Sequence, residues 1–251
     1  MYTHHKLDHE FEGEAEVAVA FIVCALPRSG SSLLCELLCD TALAGAPTEF
    51  FDPELMAKFR ESWAVRTFDE YLQALISRKT SPNGVFGLKA HYWQLVNAFH
   101  DADVGEAFPN LHYVYIRRED RVRQAVSYAR ALQTGQWASE HAVLGSEYPV
   151  FKREQIDRLL ARIRDQEQMW ESFFERNGAV PLRLVYEDLV ESPEEAVLAV
   201  MDFLGVKPPQ PFSLKPPTLK KQADLLSERW VQRYLSVAGN RLPGAGAEPV
   251  R

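Results

Sequence analysis

The chain has 251 residues, 46% of them hydrophobic and 25% charged, a composition that builds a full globular core and excludes a disordered or fibrous chain. Its formal net charge of -7 argues against a nucleic-acid-binding surface, so any anionic ligand must be held by a local basic site. The longest apolar stretch, residues 15–26, is too short to span a bilayer and follows an acidic start, so no integral membrane segment and no export signal are expected.

Residues 1–14 are polar and non-periodic and are expected to form an N-terminal arm. Its His4, His5 and His9 are read as solvated, because no closed ligand set with metal-site spacing stands near them. Residues 17–25, VAVAFIVCA, predict a strand buried on both faces of a parallel sheet. The run stops at LPRSGSS, after which Leu33, Leu34, Leu37, Leu38 and Ala42 recur at helical spacing. Three cysteines, with Cys35 and Cys39 four apart on that helix, give no disulfide framework and suit packing in a reducing cytoplasm.

Further strands are predicted over 84–90 (GVFGLKA), 111–117 (LHYVYIR) and 180–187 (VPLRLVYE), with helices over 53–62, 67–78, 91–99, 120–133 and 152–176. A last helix should have Ser192 as N-cap, Pro193 at its first position and Gly205 just past its end. From Gly239 the sequence is rich in glycine and proline and is expected to be a flexible tail, leaving 15–238 as one domain. Strands alternating with helices imply an α/β fold, a single domain with a parallel central sheet flanked by helices on both faces.

The segment from Ala25 to Ser32, ALPRSGSS, falls at the carboxyl end of the first strand, where open α/β sheets bind ligands. A glycine-containing turn opening a helix there aims backbone N–H groups and the positive end of the helix dipole at one point, which suits a phosphate or sulfate. Gly30 allows close approach, Ser29, Ser31 and Ser32 offer hydroxyls, and Arg28 offers a fork of donors; a tight structural turn with serine caps is the alternative. An ATP- or GTP-type loop reads G-x-x-x-x-G-K-[ST], but here Ala25 replaces the first glycine and Ser31 the lysine. Loss of that lysine speaks against phosphoryl transfer. A sulfuryl group carries less negative charge and can be moved by protein donors without a metal. The second basic element is YVYIRREDRVRQAVS, where Arg118 stands at a strand's carboxyl edge and Ser127 lies a few turns into the next helix. The pair suits the second phosphate of an adenosine bisphosphate, whereas Arg121, Arg123 and Arg130 also fit a solvated helix face.

PRSGSSLL resembles the 5'-phosphosulfate loop of sulfotransferases that use 3'-phosphoadenosine-5'-phosphosulfate (PAPS), and VYIRREDRVRQAVS resembles their 3'-phosphate motif. With GAPTEFFDP, FGLKAHYW, RQAVSYARALQTGQW and VYEDLVESPEEAVLAVMDFLG in order, residues 20–235 resemble the bacterial trehalose sulfotransferase family. The resemblance implies a P-loop-like sulfotransferase fold, and PAPS as co-substrate, with adenosine 3',5'-bisphosphate as product. It also implies no metal, a carbohydrate or other small alcohol as acceptor, and a homodimer. Carried over by position, Pro27 and the run Arg28, Ser29, Gly30, Ser31, Ser32 and Leu33 bind the 5'-phosphosulfate, and Arg118 with Ser127 bind the 3'-phosphate.

Glu36 matches the family's general base, one turn into the helix that grips the sulfate; a favourable dipole partner is its alternative role. Lys89 and His91 resemble the K-x-H of animal cytosolic sulfotransferases, where the lysine steadies the bridging oxygen and the histidine is the base. Glu36 is favoured because its flanking motifs match the bacterial group, and His91 stays open between catalysis and packing. Glu49, Gln133, Gln136 and Trp137 match segments bordering the acceptor pocket, while Phe50 and Phe51 are expected in the core. Lys220 and Lys221 are read as a solvated pair or as a cover over the nucleotide. A nucleotide-dependent kinase with a degenerate phosphate loop, and a non-catalytic nucleotide-binding protein, are the rival functions.

Overall fold

A computed structural model describes residues 9–11, 15–100, 104–137, 142–219 and 224–239. Four parallel strands, β1 (Val19–Ala25), β2 (Val85–His91), β3 (Leu111–Arg117) and β4 (Leu182–Val185), make one sheet in the order β2-β1-β3-β4. β1 sits between β2 and β3, with Val23 opposite Lys89 on one side and Val114 on the other. Parallel neighbours need crossovers, and helices supply each one. The segment α1 (Ser31–Asp40), α2 (Pro53–Ser62) and α3 (Phe68–Lys79) joins β1 to β2, and α4 (Tyr92–Phe99) with α5 (Val104–Ala107) joins β2 to β3. Then α6 (Arg121–Thr134) and α7 (Arg153–Arg176) lead to β4, which is followed by α8 (Tyr186–Glu191), α9 (Pro193–Phe203) and α10 (Leu225–Gly239).

Side chains alternate along a strand, so β1 sends Ala20, Ile22 and Cys24 into one layer and Phe21 and Val23 into the other. The first layer is closed by Phe59 of α2, Tyr71 of α3, Leu95 of α4, Val126 of α6, Trp170 of α7 and Trp230 of α10. Leu34 and Leu38 of α1 with Val197 and Met201 of α9 close the second. Both faces are covered, as an uninterrupted apolar strand requires, and the predicted α/β class holds. Cys24, Cys35 and Cys39 are buried and form no disulfide among the described residues, and Phe50 and Phe51 are buried in the first layer.

The boundaries move in physically sensible ways. β2 shifts to end at His91, which doubles as the N-cap of α4 and gives its backbone N–H to Gln94 Oε1 at 2.8 Å. β4 is shorter than predicted: it pairs only with β3, and Tyr186 and Glu187 already belong to α8. Ser192 occupies its N-cap position without a capping hydrogen bond from its side chain, while Pro193 and Gly205 (φ 69°) sit as expected. Helices α5, α8 and α10 are absent from the prediction, although Leu226, Trp230 and Tyr234 of α10 do recur every four residues. Residues 9–11 of the predicted arm lie against α3, where Lys79 Nζ donates to the His9 carbonyl at 2.7 Å and Phe11 N to the Arg78 carbonyl at 3.0 Å.

Trp170, fully buried and stacked on Phe174, donates its indole N–H to the carbonyl of Ala25, the last residue of β1, at 3.2 Å. That bond ties α7 to the strand end from which the glycine-containing turn departs. Trp170→Phe removes the donor and part of the ring, and should lower stability by about 1–2 kcal/mol. Urea unfolding should show a lower midpoint at unchanged slope.

Candidate active site

The turn between β1 and α1 is held in a narrow conformation. Arg28 (φ 65°) and Gly30 (φ 88°) are both left-handed, which glycine adopts freely and arginine only when the surroundings enforce it. At Gly30 a Cβ atom would stand 2.3 Å from Cδ2 of Tyr186, so only glycine lets this ring close over the turn. Gln124 of α6 supports the turn from behind by donating to the Pro27 carbonyl at 2.9 Å. The first N–H groups of α1 have no carbonyl one turn behind them. Ser29 is wholly buried, and its hydroxyl has no hydrogen-bond partner among the described residues. A buried hydroxyl left without a partner is costly, and a helix N-terminus beside it is a place where backbone N–H groups can meet an anion.

Above the turn lies a cavity of about 330 Å³ lined by Arg28, Gly30, Ser31, Ser32, Leu33, Arg118, Ser127 and Trp137. Two segments a hundred residues apart in prediction therefore meet: Arg28 Nε donates to Ser127 Oγ at 2.9 Å, and its Nη1 bonds the Trp137 carbonyl. Arg118 follows the end of β3, with its guanidinium 4.5 Å from the Tyr186 ring centroid and its Nε 3.6 Å from Glu187 Oε1. That buried Nε makes no hydrogen bond among the described residues. Burial first, and then the neighbouring charge of Arg118, push the Arg28 guanidinium down to about 10. An anion between the two arginines would offset both effects.

Glu36, Lys89 and His91 lie deeper. The Glu36 carboxylate, on the buried face of α1, accepts from Thr218 N at 2.6 Å, the Thr218 hydroxyl at 2.5 Å and Leu219 N at 3.1 Å. Pro217 and Leu219 line the same cavity, so this strap lies between Glu36 and the open space. Lys89 Nζ is 2.6 Å from Glu49 Oε1 and donates to Ser32 Oγ at 2.9 Å. His91 Nδ1 is 3.0 Å from the Ala25 carbonyl, and its Nε2 is 3.7 Å from Glu49 Oε2. Since a carbonyl only accepts, Nδ1 carries the ring proton. Burial is the main cause that moves His91 below its usual value, and Lys89 adds to it, against the pull of Glu49. Burial alone would raise Glu49, yet Lys89, His91 and the Gln94 amide hold its carboxyl at about 2.

The linkage has a definite sign. A carboxylate depressed from 4.5 to about 2 adds stability that is fully present above its unfolded value and is lost as pH falls through the folded one. The stability difference between wild type and Glu49→Gln should therefore be largest above pH 4.5 and shrink toward pH 2, read by urea unfolding across that range.

Gln133 and Gln136 do not line the cavity. The Gln133 amide clamps the chain after α6, donating to the Val150 carbonyl at 3.0 Å and accepting from Val150 N at 2.7 Å. Lys220, Lys221, His4 and His5 lie outside the described residues. The cavity also gains Tyr186, Leu219 and Glu228, which the sequence did not single out, and Arg123, read there as part of a solvated helix face. Arg123 pairs with Glu228, and Arg130 Nη2 with Asp224 Oδ2 at 2.9 Å, which fastens α10 to α6 along one wall. An aromatic residue directly after β4 at the sheet's carboxyl edge was the available signal for Tyr186. No described helix is long and apolar enough to cross a membrane, and among the described residues no group of three or more His, Cys, Asp and Glu is placed to hold a metal ion.

Comparison with known proteins identifies the family. The chain is 30% identical to a trehalose 2-sulfotransferase of Mycobacterium tuberculosis over 257 residues, covering 87% of this chain and 95% of that protein. It is 31% identical to a trehalose 2-sulfotransferase of Mycolicibacterium smegmatis, covering 86% and 94%. Among solved structures, a sulfotransferase from Alicyclobacillus acidocaldarius is 14% identical with a TM-score of 0.48, over 89% of this chain and 96% of that one. The family model for Stf0 sulphotransferase matches residues 20–236. That span contains the turn at Gly30, the four strands except Val19 at the start of β1, and every described residue lining the cavity, so the chain belongs to the Stf0 sulphotransferase family and is a sulfotransferase.

Proposed function

We propose that the chain transfers the sulfuryl group of PAPS to a hydroxyl of a small carbohydrate, and that trehalose, named for both relatives, is the first acceptor to test. The observation that carries the donor is the convergence of Arg28, Arg118 and Ser127 with the Gly30 turn on one cavity. A 5'-phosphosulfate suits the start of α1, where the Ser29 hydroxyl is unpartnered among the described residues, and a 3'-phosphate suits Arg118, whose Nε is also unpartnered there. Bound in this cavity, PAPS supplies an activated sulfuryl group whose bond to the 5'-phosphate oxygen breaks as an acceptor oxygen attacks in line.

The residues of the chain do the rest. Arg28 and the first N–H groups of α1 offset charge on the sulfuryl oxygens, a stabilisation that grows where water is excluded. Because guanidinium and N–H donors suffice for a group with less charge than a phosphoryl, no metal is assigned a part. Glu36 is assigned the proton of the acceptor hydroxyl, a role that requires the Thr218 strap now bonded to its carboxylate to give way to the acceptor. His91 is supported as a positioning group, since its Nδ1–H is spent on Ala25 and its Nε2 faces Glu49.

The nucleotide assignment is testable by calorimetry. Adenosine 3',5'-bisphosphate should bind at least about tenfold more tightly than adenosine 5'-monophosphate, the worth of a charged hydrogen bond. Equal affinities would contradict a 3'-phosphate site.

A further inference from the structure

We propose that residues 215–219 form a latch over Glu36, closed by Thr218 and opened by the acceptor, whose apparent affinity the latch therefore sets. The proposal rests on the reading of Glu36 as the base. A carboxylate oxygen accepts about two hydrogen bonds, and Glu36 Oε1 already takes both from Thr218, its N–H at 2.6 Å and its hydroxyl at 2.5 Å. Oε2 takes Leu219 N at 3.1 Å. An acceptor hydroxyl that is to lose its proton needs a lone pair of this same carboxylate, so it competes with the strap. Thr218 offers Glu36 what an acceptor would offer, an aliphatic hydroxyl, and holds the carboxylate until one arrives.

The strap is built to lift. Phe212 and Leu214 anchor the chain before it against the second core layer, and Leu214 N donates to Glu194 Oε1 at 3.1 Å. From 215 to 219 the anchoring changes: none of these residues belongs to either layer, and among the described residues their backbone hydrogen bonds end on Glu36. Pro216 and Pro217 have no N–H to give. Thr218 is exposed while Glu36 beneath it is 7% exposed. A segment with so few buried contacts opens at low cost. It also has open space on both sides, because Leu37, Pro193 and Pro217 line the cavity above the turn and a second hollow of about 410 Å³ beside Lys215 and Pro216. A site that is competent only when the strap is lifted binds its acceptor more weakly by the fraction of time it is lifted.

Hydrogen exchange read by NMR, together with steady-state kinetics on the full chain, tests the latch. The acceptor is trehalose, or the carbohydrate that wild type is found to sulfate instead. In wild type carrying adenosine 3',5'-bisphosphate, saturating acceptor should speed exchange of the Thr218 and Leu219 amides at least about tenfold, because both lose their carboxylate partner. Thr218→Val keeps the shape and the N–H but removes the hydroxyl. It should lower the acceptor KM about tenfold at unchanged kcat, the worth of one hydrogen bond to a charged group. Amides that stay protected under saturating acceptor overturn the latch, as does a Thr218→Val variant whose KM equals or exceeds that of wild type. Wild type that sulfates no carbohydrate, or Glu36→Gln that turns over within a few fold of wild type, overturns the reading of the site and the latch with it. That result is distinct, because neither measurement alters or observes the strap.

Discussion

Replacing Glu36 with glutamine should lower turnover by about 100- to 10,000-fold, the range for loss of a general base. Glutamine keeps the size and still accepts a hydrogen bond at its oxygen, but its neutral amide is too weak a base to take the acceptor's proton. Affinity for adenosine 3',5'-bisphosphate should stay within a few fold, since the Glu36 carboxylate meets Thr218 and Leu219 and does not line the cavity proposed for the nucleotide. His91→Asn should cost less than about tenfold, because its bond to the Ala25 carbonyl and its contact with Glu49 are disturbed and neither meets the acceptor. Steady-state kinetics on the pair separates the two candidate bases. If His91→Asn abolishes turnover while Glu36→Gln stays within a few fold, the base is His91.

Arg118→Ala should weaken adenosine 3',5'-bisphosphate by about 1.5–3 kcal/mol, roughly 10- to 150-fold. Two features of the side chain set that magnitude. Its guanidinium is held over Tyr186 at 4.5 Å and is nearly buried, so little ordering is left for a ligand to impose. Its Nε, 3.6 Å from Glu187 Oε1, makes no hydrogen bond among the described residues and can donate to a phosphate oxygen. Adenosine 5'-phosphosulfate lacks the 3'-phosphate, so its affinity should hardly change. Calorimetry with both ligands decides: equal weakening of the two would remove Arg118 from the 3'-phosphate.

How far the site was legible follows from how locally each part is encoded. The turn from Ala25 to Ser32 is read from sequence because strand, turn and helix are contiguous, and Arg118 with Ser127 shares that property. The α/β class was equally plain, since the apolar run of β1 can only be buried on both faces. Contacts that close over long separations were not legible. Thr218 meets Glu36 across 182 positions, and no period or spacing announces it. Tyr186 lies against Gly30 only because β4 and β1 end at the same sheet edge. Gln133 matched a family segment, yet its amide closes a local loop through Val150. Glu49 in PTEFF matched a segment bordering the acceptor pocket, and nothing in the sequence shows that Lys89 stands 2.6 Å away.

The central claim is sulfuryl transfer from PAPS by this cavity, and one measurement meets it directly. The purified chain is incubated with PAPS labelled in its sulfate sulfur, with ATP plus magnesium in a parallel vessel, and with trehalose and a panel of other alcohols as acceptors. Mass spectrometry should find the labelled sulfate on trehalose or another carbohydrate of the panel, and no phosphorylated product in the ATP vessel. A phosphorylated acceptor from ATP, with the label left on the nucleotide for every acceptor, would contradict the claim.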